Sequence, residues 1–238
     1  KGVEQHMEQL SQLVVDAAQA VTVEADDGSY VVDLQNLNIE TQAGRSAGDS
    51  ELLEGAVVSK DPVHENMPTD LEDATVLLID SPLEVDETEI DTSVSVTDPD
   101  QLQDFLDQEE AQLQEMVDQI EAVGADVVLC QKGIDDMAEH YLAKKGVLAM
   151  NRVKKSDIQF IREVVDAAIV SDVETATADD LGTANVTRDE SEGLFYVEGA
   201  GEESHGVTLL LRGSTEHVVD EIERGGTDAL DVVADTIT

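Results

Sequence analysis

Basic residues are scarce in this chain: 13 Lys and Arg stand against 55 Asp and Glu among 238 residues, a formal charge of −42. An acidic surface of that density repels phosphate, which argues against nucleic acid as a partner and against anionic membranes. Cysteine occurs once, as Cys130, so no internal disulfide can form. Its setting after Val127-Val128-Leu129 predicts a buried, unreactive thiol, because reactivity needs an exposed electropositive environment. No apolar run reaches the about 18–20 residues of a membrane span, and no charged-then-apolar leader is present. The expected location is the cytoplasm. His6, His64, His140, His205 and His217 are scattered, without a cysteine cluster or an i,i+4 pair, so no metal site is expected. Lone Ser and His residues show no nucleophile–base spacing, and there is neither an internal repeat nor a long low-complexity run.

What is present is enough apolar matter to fold. Hydrophobic residues make up 41% of the chain, and clusters such as Val76-Leu77-Leu78-Ile79 and Val207-Thr208-Leu209-Leu210-Leu211 recur along it, which excludes a disordered acidic tail. Like charge at this density opposes compaction unless it is screened, and molar salt shortens the Debye length to about 3 Å. A salt-filled cytoplasm is the natural setting. Stability is therefore expected to fall as KCl is removed, and a melting temperature unchanged from molar to millimolar KCl would contradict this.

Apolar spacing predicts a helix over 7–20, with Leu10, Leu13, Val14 and Ala17 on one face, then strands at 21–23 and 30–34 around an Asp27-Gly28 turn. The acids of that turn lack the other ligand positions of a calcium loop. Residues 42–50 read as a loop and candidate boundary, 53–58 and 74–79 as strands, with Pro62, Pro68 and Pro82 between elements. A helix starts at Thr97-Asp98-Pro99. Its apolar stripe of Leu102, Phe105 and Leu106 resumes only at Leu113, Met116, Val117 and Ile120, after a break at Gln108-Glu109-Glu110. A helix docked throughout needs no such break, so the first part is expected to leave the core. Gly124 stops it, Val127–Leu129 reads as a buried strand, and helices follow at 134–142 and around Ile158-Ile161-Val164-Val165. Lys132, Lys144, Lys145, Arg152, Lys154, Lys155 and Arg162 crowd one span and predict a solvated, salt-bridged face. A strand at 207–211 and a helix from Val218 complete a mixed α/β pattern.

The run Val127-Val128-Leu129-Cys130-Gln131-Lys132-Gly133-Ile134-Asp135-Asp136, followed by Ala138-Glu139-His140-Tyr141-Leu142-Ala143-Lys144, closely resembles the apical domain of the archaeal group II chaperonins, the thermosomes. So do Val153-Lys154-Lys155-Ser156-Asp157, Ile79-Asp80-Ser81-Pro82-Leu83-Glu84, His64 with Met67-Pro68, and Leu211-Arg212-Gly213-Ser214-Thr215-Glu216-His217-Val218-Val219. The resemblance implies an intermediate-domain piece over residues 1–46, an apical domain over 47–203 with a β-sandwich core flanked by helices, and a return to the intermediate domain over 204–238. It also implies a helical lid protrusion at about 96–120. The whole protein would bind unfolded polypeptide and enclose it in a double ring of subunits, driven by ATP with magnesium.

The family's Gly-Asp-Gly-Thr-Thr phosphate loop does not occur in this chain, so no cofactor site is expected within it. Glu198-Gly199-Ala200-Gly201-Glu202-Glu203 is no substitute, since its carboxylates would repel phosphate. Asp228 in Asp228-Ala229-Leu230 matches the family's hydrolytic aspartate, which orients or deprotonates the attacking water. Gly225-Gly226 just before it departs from the family pattern, and two interior glycines are expected to weaken that helix. Leu102, Phe105 and Leu106 are the candidate client-binding residues. The rival reading is a self-contained acidic α/β enzyme or small-ligand protein.

Overall fold

The computed structural model describes residues 2–85, 99–201 and 205–237. In chain order the elements are α1 (Gly2–Ala20), β1 (Thr22–Glu24), β2 (Tyr30–Val32), β3 (Leu37–Ala43), β4 (Glu51–Glu54), β5 (Ala56–Val58), β6 (Asp70–Ile79), α2 (Pro99–Ala122), β7 (Val127–Cys130), α3 (Asp136–Lys144), β8 (Leu148–Met150), α4 (Lys155–Val165), β9 (Ile169–Val170), β10 (Gly182–Asp189), β11 (Leu194–Gly199), β12 (Val207–Gly213) and α5 (Glu216–Ile237). The mixed α/β class expected from the sequence is the class that forms. Residues 96–98 of the expected protrusion, and the expected boundary between 203 and 204, lie outside the described residues.

Local chemistry accounts for most of these elements. β1 and β2 pair antiparallel around a turn in which Gly28 takes φ +80° and Asp27 accepts hydrogen bonds from the Ser29 amide and hydroxyl. Those acids serve a turn. Gly124 ends α2 at φ +84°, a conformation that glycine reaches without a Cβ penalty. Asp135 caps α3 by accepting from the Met137 amide.

The strands form two larger sheets. One has the order β3-β12-β4, with β12 parallel to β3 and antiparallel to β4, and is covered by α1 and α5. Its core holds Val14, Ala18, Leu209, Leu211, Leu230 and Ala234, so the two ends of the chain build one layer. The other is a seven-stranded mixed sheet in which β6 joins antiparallel β10, β11 and β5 to parallel β7, β8 and β9. The larger core lies here, around Leu77, Leu78, Ile79, Leu129, Leu148 and Phe195, all at or below 1% exposure. Four consecutive buried residues in β7 fit a strand covered on both faces.

The single strand expected over 53–58 is instead two strands in different sheets: β4 pairs with β12, β5 with β11. Gly55 divides them at φ +90°, and a Cβ there would lie 2.1 Å from the Val197 carbonyl oxygen. Its amide donates to Gly206 O (2.8 Å) and its carbonyl accepts from the Thr208 hydroxyl (2.7 Å), so the crossing between sheets is hydrogen-bonded through.

Gly225-Gly226, expected to weaken the last helix, do not break it: α5 runs through both. Its packed face, with Val219 and Leu230 buried, supplies what local propensity lacks. A Cβ on Gly225 would meet nothing within 4 Å, and one on Gly226 would sit 3.5 Å from Leu211 Cδ1. Gly225→Ala and Gly226→Ala are each expected to raise stability by about 0.5–1 kcal/mol, read as a shift in the denaturant midpoint.

Candidate functional site

α2 is one continuous helix of 24 residues with two different environments. Before Gln108-Glu109-Glu110, Leu102 and Leu106 are 49% and 48% exposed and Phe105 is half-buried; after it, Leu113, Val117 and Ile120 are buried and Met116 is half-buried. The inner part is tied to α3 as well as packed on the sheet. Tyr141 donates its hydroxyl to Glu110 at 2.6 Å, and Lys145 pairs with Glu121 and, at 3.6 Å, with Asp118. The lysine-rich span is thus salt-bridged at Lys145, and Arg162 pairs with Glu163 at 2.6 Å.

Beside the outer part, a groove of about 780 Å³ runs between α2, the Glu84–Val85 segment and the start of α3. Leu106, Leu113 and Met137 give it apolar lining, and carboxylates give it a rim. Met137 is 41% exposed and escapes sequence reasoning, since a lone Met on a short helix carries no signal of the face it takes. Asp228 lies elsewhere, exposed on α5 in the terminal layer, with no hydrogen-bond or ion-pair partner among the described residues. The structure therefore groups Leu102, Phe105 and Leu106 on one stretch of helix and leaves Asp228 apart.

The two layers meet through charged contacts that only the fold reveals. Arg212 on β12 is 4% exposed; its guanidinium donates to Glu51 (2.6 Å), Glu192 (2.9 Å) and Gln42 (3.0 Å). Glu192, in the β10–β11 turn, also receives Arg45 at 2.7 Å. At another point of the junction, Glu40 on β3 is near Asp157 and Lys154 at the start of α4. Burial first, then the charge of Asp157, pushes the Glu40 carboxyl up to about 6, against the pull of Lys154 and the Asn38 amide. Burial also raises Asp157.

Because folding raises the Glu40 pKa from 4.5 to about 6, its stabilising effect is fully present below the lower value and is lost as pH rises through the upper one. Glu40→Gln is expected to raise stability near neutral pH by about 1–2 kcal/mol and to change little below about pH 4. Melts across that range, wild type beside variant, check the sign.

Cys130 is fully buried with its Sγ 3.2 Å from Ser81 O, and burial pushes its thiol up to about 11, in keeping with an unreactive role. Among the described residues no group of three or more His, Cys, Asp or Glu is placed to hold a metal ion, and no helix is long and apolar enough to cross a membrane. The His64 and His140 rings meet at a tilt of 48° with centroids 5.7 Å apart.

A two-layer α/β fold, with one layer closed from both chain ends and a long helix running from core into solvent, has a counterpart among known proteins. The chain belongs to the TCP-1/cpn60 chaperonin family, whose model matches residues 1–238. Within that family its similarity is to the archaeal group II type. Thermosome subunit 2 of Haloferax volcanii is 63% identical over 237 residues, and thermosome subunit beta of Halobacterium salinarum 58% over 238; each match takes in 100% of this chain, and 42% and 43% of those proteins. The chain thus spans less than half the length of these curated relatives. Among solved structures, an open-state monomer of a group II chaperonin from Methanococcoides burtonii superposes with a TM-score of 0.80 at 38% identity, over 100% of this chain and 53% of that one. The salt-adapted reading of the composition and the archaeal resemblance of the motifs agree with these two relatives. The rival reading as a self-contained enzyme finds no support in these matches.

Proposed function

We propose that this chain is the substrate-binding and lid-forming portion of an ATP-driven protein-folding ring, in which the outer part of α2 binds unfolded polypeptide and helps close the chamber over it. The observation that supports this is the split of α2: Leu102 and Leu106 stay in solvent on the same helix that buries Leu113, Val117 and Ile120. Apolar area held in water gains roughly 25 cal/mol per Å² when a client covers it.

In this reading residues 47–203 are the apical domain, with the protrusion at 96–120, and residues 1–46 and 204–238 together are the intermediate domain. The ring is a double ring of such subunits in the cytoplasm. Nucleotide and magnesium belong to the equatorial domain of the family. The residues described here do not by themselves fit them, since Asp228 is exposed and no metal-holding cluster accompanies it. Asp228 is the one residue of this chain assigned to hydrolysis.

The test is client protection by the intact protein. Leu102→Ser with Leu106→Ser should abolish capture of a denatured protein while ATP turnover continues. Capture at the wild-type level by that double variant would overturn the assignment of α2.

A further inference from the structure

Several of the cations among the described residues are held against carboxylates: Arg212 against Glu51 and Glu192, Arg188 against Asp61, Lys145 against Glu121. The groove beside α2 is the opposite case. Among the described residues, Glu84, Asp107, Glu109, Glu110 and Asp135 line it, and no Lys, Arg or His does. Three of these acids accept from neutral groups: Asp107 from the Gln103 amide, Glu110 from the Tyr141 hydroxyl, and Asp135 from the Met137 backbone. Glu84 and Glu109 have no hydrogen-bond or ion-pair partner among the described residues. The same groove holds two of the large apolar side chains left in solvent, Leu106 and Met137, with Leu102 one turn earlier on α2.

An occupant must meet two demands. Covering Leu106 and Met137 with a purely apolar segment would also take the surrounding carboxylates out of water unpaired, which costs more than the apolar contact gains. An acidic segment would add like charge. A segment in which apolar side chains alternate with Lys or Arg meets both demands, because its alkyl stems cover apolar surface while its heads pair with the rim. We propose that the α2–α3 groove selects such cationic, apolar segments of non-native polypeptide. This rests on the reading of α2 as a client-binding helix and names the class of client segment that it takes. Molar salt, with its Debye length of about 3 Å, removes attraction at a distance but leaves contact pairs, so selection acts after encounter and not by steering.

Three peptides with identical leucines and with Lys, Gln or Glu at the polar positions test this on the intact protein in molar KCl. The Lys peptide is expected to bind about tenfold more tightly than the Glu peptide, the sum of a few exposed contact pairs, with the Gln peptide between. Glu84→Gln, Asp107→Asn and Glu109→Gln combined should bring the three close to parity. Met137→Lys, which sets one cation among the same carboxylates, should narrow the preference without reversing it. Equal binding of all three peptides to the wild-type protein, or a preference that survives the triple variant, would overturn the selection. The reading beneath it fails differently: if Leu106→Ser leaves capture of a denatured protein intact, α2 is not a client surface and both fall. If capture is lost but the peptides bind equally, only the charge selection falls.

Discussion

Arg212→Met is expected to cost about 3–5 kcal/mol, the usual effect of removing one partner from a buried ion pair. The side chains of Arg212 and Glu192 are each 5% exposed and lie 2.9 Å apart, one from the terminal sheet and the other from the β10–β11 turn. Without the guanidinium, Glu192 keeps Arg45, whose side chain is 46% exposed, and a 3.3 Å hydrogen bond from the Tyr196 hydroxyl, and the Asp49 carbonyl loses its donor. For a chain of this size the loss corresponds to a fall in melting temperature on the order of 10 °C. Arg212→Met combined with Glu192→Gln should recover part of it, because the second change removes the stranded charge, and a double-mutant cycle measures the coupling. A change in Arg212→Met within about 0.5 kcal/mol of wild type would show that the network contributes nothing to holding the layers together.

Along α2, Ile120→Ala is expected to cost about 2–5 kcal/mol, since Ile120 is fully buried and its truncation leaves a cavity. Leu106→Ser should change stability by no more than about 0.5 kcal/mol, because its side chain already stands half in water. Phe105, half-buried, falls between them. Client protection should respond in the reverse order, lost with Leu106→Ser and kept by whatever Ile120→Ala protein remains folded. Thermal melts and protease protection of a bound client separate the two effects. Equal destabilisation by Leu106→Ser and Ile120→Ala would mean that α2 is one continuous core helix without a binding tip.

Local periodicity makes several elements legible in the sequence. The Asp27-Gly28 pair marked the β1–β2 turn, and the all-apolar Val127-Val128-Leu129 run marked a strand buried on both faces. The break at Gln108-Glu109-Glu110 marked where α2 passes from solvent to core. Each signal is complete within a turn or two of chain, because side-chain direction repeats every 2 residues in a strand and every 3.6 in a helix. The long, ordered run of motifs from Ile79 to Val219 also sufficed for the family.

What the sequence by itself determined, then, was the identity of most elements, the salt-adapted surface and the family. The tertiary structure alone decided how distant residues meet. Gly55 splits a seemingly continuous strand because the Val197 carbonyl and Thr208, 153 residues away, occupy the space around it. Arg212 is buried where Glu51 arrives from β4 and Glu192 from the β10–β11 turn, and the Glu40 carboxyl is raised to about 6 by burial and by Asp157 at the start of α4. Gly225-Gly226 stays helical because α5 is packed against β12 and α1. The acidic groove exists only where α3 sets Met137 and Asp135 opposite α2. Burial, pairing and desolvation depend on which surfaces close over a residue, and in this fold those surfaces come from positions too far along the chain for any local pattern to encode.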